Sequence, residues 1–64
     1  MATNKEYEHG YRMGYEWVRF ENGHSSGVFR ELRNRGISMH TAYAVGFRKG
    51  VDDAEKGIAQ RYGR

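Results

Sequence analysis

The sequence predicts an all-α fold: one small helical domain over residues 1–64, arranged long helix, short helix, long helix, and assembled as a homodimer. Three observations predict it. Apolar and aromatic residues recur at three- and four-residue spacings, and no stretch alternates as a strand would. Gly, Asn and Ser clusters, with no proline anywhere, cut the chain into three periodic segments. A chain of 64 residues buries only about 60% of the surface its unfolded form exposes. Without cysteine for disulfides, self-association is the main remaining source of burial.

The first helix is expected over about Asn4 to Phe20, capped by Thr3 or Asn4. On a helical wheel Tyr7, Tyr11, Gly14 and Val18 fall within about 60° of one another, and Met13, Trp17 and Phe20 form a second stripe beside them. Such a helix is apolar around more than half its girth. The dimer contact is therefore expected at Met13, Trp17 and Phe20. A turn over residues 21–27 leads to a short helix from about Gly27 to Arg35, capped by Ser25 or Ser26. Its buried side is limited to Val28, Phe29 and Leu32, and Gly36 suits the left-handed position that ends it. The third and longest helix is expected from about Met39 to Arg61, capped by Ser38. Met39, Tyr43, Phe47, Gly50, Val51, Ala54 and Ile58 cover an arc of about 120°, leaving Lys49, Asp52, Asp53 and Lys56 outside it.

The two long helices repeat one pattern: aromatic, two residues, Gly, aromatic, Arg, one residue, Gly. It runs from Tyr7 through Gly10 and Gly14, and again from Tyr43 through Gly46 and Gly50. Glycine inside a helix costs up to about 1 kcal/mol relative to alanine, so four of them ask for a compensating gain. Close packing of two helices through Gly10, Gly14, Gly46 and Gly50 supplies it, because a missing side chain lets a facing backbone approach.

Gly10-Tyr11-Arg12-Met13-Gly14 and Tyr43-Ala44-Val45-Gly46-Phe47-Arg48-Lys49-Gly50 together resemble the two Gly/aromatic helical elements of the ribosome modulation factors. That resemblance implies two helices joined by a linker, binding to ribosomal RNA and silencing of ribosomes. The linker here is longer than the family's and lacks its Cys-Pro-Tyr.

The net charge of +3 is modest, and acidic residues interleave with basic ones, including the i,i+4 pairs Glu8–Arg12, Glu31–Arg35 and Asp52–Lys56. His9, His24 and His40 show no ligand spacing, so no metal or other cofactor is expected. Ser25-Ser26 lacks a nucleophile-elbow context, and neither glycine pair matches a phosphate loop. A helix-turn-helix over residues 32–43 fits poorly, since Glu31 and Arg35 occupy positions that need apolar packing. The expected class is a non-enzyme, without catalytic residues or a small-molecule substrate. No apolar run reaches the roughly 20 residues of a membrane helix, and residues 1–6 lack a signal-peptide core, so a cytoplasmic location is expected. The leading function is occupation of a partner protein's surface as inhibitor or adaptor. By analogy of size and class, it resembles phage or mobile-element inhibitors of host defence complexes such as anti-CRISPR proteins. Arginine and aromatic side chains dominate binding hot spots, which nominates Trp17, Phe20, Arg30 and Arg33 as partner-binding residues. The alternative is a ribosome- or RNA-binding regulator.

Overall fold

The computed structural model describes residues 4–62, and these residues form three α-helices: α1 (Lys5–Glu21), α2 (Val28–Asn34) and α3 (Ala42–Glu55). A single 3-10 turn, Ser25–Gly27, precedes α2. The long–short–long order matches the expectation, although α1, with 17 residues, exceeds α3, with 14.

Asn4 starts α1: its side-chain oxygen accepts from the Glu6 N–H at 2.7 Å and the Tyr7 N–H at 3.3 Å. Thr3, the other candidate cap, lies outside the described residues. Neither Ser25 nor Ser26 caps α2 through its side chain; instead the Ser25 N–H donates to Glu55 of α3 at 3.1 Å, tying the turn to the end of that helix. At the far end of α2, Gly36 takes φ +73° and the Ile37 N–H reaches back to the Leu32 carbonyl at 2.9 Å.

The expected limits of the third helix are corrected at both ends. Ser38 does not cap it. The Ser38 hydroxyl accepts from the His40 N–H within its own turn, and the Thr41 hydroxyl, accepting from the Ala44 N–H at 3.1 Å, begins α3 three residues later. At the other end Gly57 adopts φ +75°, and the Ile58 N–H donates to the Asp53 carbonyl at 2.9 Å, which closes the helix. Residues 58–62 therefore leave the helix axis and are free to fold back.

The glycine repeat sets the architecture. A Cβ on Gly10 would strike the Tyr43 backbone, and one on Gly14 the Phe47 backbone. A Cβ on Gly46 would strike the Tyr7 backbone, and one on Gly50 the Tyr11 backbone. Each helix thus presses its own aromatic-bearing backbone into the other's glycine groove. The contacts advance together along both chains, so α1 and α3 run parallel. A parallel pair needs a return path, and the turn with α2 supplies it across one flank of α3.

On that flank Val28 and Leu32 of α2 meet Ala44, Phe47 and Val51 of α3, and Met13, Trp17, Val18, Ile37, Met39 and Tyr43 pack around this cluster. Trp17 lies against Phe47, with ring centroids 5.7 Å apart, and covers the buried Gly23. On the other flank stand Tyr7, Tyr11 and Tyr15, and here residues 58–62 fold back. The Tyr15 hydroxyl donates to the Ile58 carbonyl at 2.7 Å, and the Tyr62 ring meets Tyr11 edge-on at 5.1 Å. The large apolar girth of α1 is taken up by α3, by the cluster that Val28 and Leu32 join, and on the other flank by the chain's own C-terminal segment.

Candidate interaction surface

Two constellations of polar side chains stand out, and exposure separates their roles. The first is buried. Tyr11 and Asp53 are both 0% exposed, and the Tyr11 hydroxyl donates to Asp53 Oδ2 at 2.6 Å. The same carboxylate oxygen pairs with Arg61 Nε at 3.0 Å, while the Arg61 N–H donates to the Tyr11 hydroxyl at 3.2 Å. Lys49, one turn before Asp53, stands 3.7 Å from Oδ1, which accepts no hydrogen bond. Burial, and then the hydrogen bond to Asp53, pushes the Tyr11 hydroxyl up to about 12. Burial, with Tyr62 next, also raises Tyr7. Tyr11 and Asp53 are sealed from solvent within this cluster, whereas the Arg61 side chain is half exposed. Their effect is to fasten the C-terminal segment to both long helices.

The second constellation is exposed. Phe29, Arg30 and Arg33 occupy an arc of about 100° on α2, beside the buried stripe of Val28 and Leu32. Phe29 is 54% exposed, and the Arg48 guanidinium of α3 lies 5.3 Å from its ring centroid. Arg30, Arg33 and Arg48 form no ion pair among the described residues. Their acidic neighbours are engaged elsewhere: Glu31 with Arg35 at 2.8 Å and Asp52 with Lys56 at 3.1 Å. Arg35 is half-buried with its guanidinium 5.0 Å from the Phe47 ring, so it belongs to the core. Beside Phe29 opens a cleft of about 470 Å³, walled by Phe29, Arg33, Gly36, Ile37, Ser38 and Met39.

The structure distributes the residues nominated from sequence as follows. Arg30 and Arg33 lie together on this exposed edge. Trp17 and Met13 are half-buried against the intramolecular cluster, while Phe20 is 77% exposed. Gly10, Gly14, Gly46 and Gly50 are all buried at the helix–helix contact. Phe29, expected on the buried side of the short helix, is instead exposed, and Arg48 of α3 lies over its ring. Their pairing depends on how α2 crosses α3, which no local spacing encodes. Of the expected i,i+4 pairs, Glu31–Arg35 and Asp52–Lys56 form, and Glu8–Arg12 does not.

The histidines are dispersed: His9 meets the Tyr43 ring at 5.4 Å, His24 stands 3.5 Å from Glu55, and His40 is exposed. The hydrogen bonds from Ser25 hold the Glu55 carboxyl below its ordinary range. Among the described residues no three His, Cys, Asp or Glu side chains gather as metal ligands. No helix formed by those residues is long and apolar enough to cross a membrane. No protein-family model, curated protein or solved structure matches the chain.

Proposed function

We propose that the chain is a non-enzymatic binding protein that occupies a partner protein's surface, as inhibitor or adaptor. One concrete form is a phage or mobile-element inhibitor of a host defence complex, in the manner of anti-CRISPR proteins. One observation carries the proposal: a half-exposed phenylalanine with the Arg48 guanidinium over its ring and Arg33 beside it at the edge of an apolar cleft, both arginines without a carboxylate partner among the described residues. Arginine and aromatic side chains supply most of the energy at protein interfaces. Unpaired guanidiniums favour an acidic partner surface.

The test is the double charge reversal Arg30→Glu with Arg33→Glu. Neither side chain holds an ion pair among the described residues, so melting is expected to change little; exposed substitutions of this kind stay within about 0.5 kcal/mol each. Capture of a partner from the native host is expected to be lost. Unchanged capture places the binding face elsewhere.

A second reading, a ribosome- or RNA-binding regulator, draws on the same unpaired arginines, since guanidiniums beside an exposed ring also suit phosphate and base. Salt separates the two. RNA capture weakens steeply with salt and disappears with nuclease, whereas an aromatic protein interface weakens little.

The proposal extends to a homodimer. Phe20, exposed at the end of α1, is its centre, with the accessible edges of Met13 and Trp17 at its rim. Sedimentation at micromolar concentration is expected to show a dimer, and Phe20→Glu a monomer with unaltered helicity. A parent protein that sediments as a folded monomer refutes this contact.

A further inference from the structure

We propose that the cleft beside Phe29 receives a short acidic peptide segment, in which one bulky apolar side chain enters the cleft and flanking carboxylates meet Arg33 and Arg48. This rests on the protein-binding reading above and names what that surface recognises. The cleft, at about 470 Å³, lies within the range of about 300–1,000 Å³ typical of ligand-binding clefts. Its walls are apolar at Phe29, Ile37 and Met39, and a Cβ added at Gly36 would meet nothing within 4 Å, so the entrance is open on that side. Arg33 forms one wall, and Arg48 caps the Phe29 ring.

The charges around the cleft are one-sided. Arg33 and Arg48 pair with no carboxylate among the described residues, and the acidic groups nearest each in sequence, Glu31 and Asp52, are engaged by Arg35 and Lys56. A guanidinium that stays solvated in the free protein can exchange water for a carboxylate and gain bidentate, charge-assisted hydrogen bonds. The same geometry disfavours a nucleic-acid strand. Successive bases need successive aromatic platforms. Here one ring faces outward, Arg48 already lies over it, and the neighbouring walls are an isoleucine and a methionine.

Fluorescence anisotropy with labelled synthetic ligands tests the proposal. The probes are a Glu-Asp-Phe-Asp-Glu peptide, the same peptide with Ala at its centre, the same with Lys for every acidic residue, and a uridine octanucleotide. The acidic Phe peptide is expected to bind at least about tenfold more tightly than the Ala-centred or Lys peptide, and Arg33→Glu with Arg48→Glu to remove that binding. Phe29→Ala is expected to reduce it to the level of the Ala-centred peptide. Both variants are first checked for parental melting, and the single variant Arg33→Glu serves if the double one does not fold. Equal binding of the three peptides, with partner capture intact in Phe29→Ala, overturns the cleft proposal and leaves the protein-binding reading standing. Tight, salt-sensitive binding of the octanucleotide with none of the acidic peptide overturns both.

Discussion

Gly14→Ala and Gly50→Ala are each expected to lower stability by about 2–3 kcal/mol, and Gly50→Leu to prevent folding. The sign is the informative part. In an open helix the same glycine-to-alanine change gains up to about 1 kcal/mol, because alanine restricts the unfolded chain and favours the helix. Here the new methyl group at Gly14 meets the carbonyl of Phe47, and that at Gly50 meets the carbonyl of Tyr11. Backbone atoms inside a helix cannot rotate aside as a side chain can, so relief requires the helices to separate. Separation loosens Tyr11 and Phe47, two of the largest fully buried side chains. A domain of this size has a total stability of roughly 3–10 kcal/mol, so one such loss is a large share. Thermal melts followed by far-UV circular dichroism should show a fall of about 10–20 °C for either alanine variant. Gly27→Ala is the control, since its Cβ would meet only Trp17 at an ordinary 3.9 Å. If Gly14→Ala and Gly50→Ala melt with Gly27→Ala, the interlocked backbones do not limit stability.

The glycine repeat was legible in sequence because its cost is local and its remedy is geometric. Four helix-interior glycines at four-residue spacing ask for a close neighbour, and α1 and α3 are that neighbour for each other. Three helices, their order and the terminating role of Gly36 followed from periodicity and turn chemistry. What sequence did not carry was direction. A repeat in two helices fits parallel or antiparallel packing equally well, and only the return path through α2 decides. The ends of α3 were misjudged for a related reason. Ser38 and Thr41 are both competent caps, and the choice fell to the one whose helix starts level with the glycine groove. Gly57 is a stop signal that the apolar position of Ile58 obscured, since Ile58 continues the stripe on a wheel although its backbone has left the helix.

The exposed surface was legible in half. Arg30 and Arg33 lie exposed on α2, and Phe29 and Arg48 are brought together only by the crossing of two helices. Trp17 illustrates the limit of residue type as a guide. A tryptophan suits an interface or a core, and the buried Gly23 beneath its ring, together with Phe47 beside it, draws it partly inward. Asp53 shows the same limit from the polar side. The wheel assigns it to the solvated arc of α3, and it is 0% exposed because Arg61 and Tyr62 return over it.

That return leads to the second large effect: Asp53→Ala is expected to destabilise the fold by about 2–4 kcal/mol. Removing one member of a buried ion pair typically costs about 3–5 kcal/mol, because the other charge is left without a partner. The value here is set lower because Arg61 is half exposed and can regain water. The Tyr11 hydroxyl has no such escape: it stays buried with its acceptor gone. Tyr11→Phe removes that orphan, so the double variant Tyr11→Phe with Asp53→Ala should be less destabilised than the sum of the two single variants. A strictly additive double variant means that the 2.6 Å hydrogen bond contributes nothing to the fold. Alkaline titration gives an independent readout. The Tyr11 hydroxyl ionises near 10 in the unfolded chain and at about 12 in the folded one. Its contribution is therefore fully present below pH 10 and is lost as the pH rises from 10 to about 12, because the unfolded state releases the proton first. The parent should lose stability across that window, and Tyr11→Phe should lose less. The remaining slope in the variant belongs in part to Tyr7, which is shifted in the same direction. Equal alkaline slopes in parent and variant would show that Tyr11 ionises alike in both states, which a sealed hydroxyl bonded to a carboxylate does not permit.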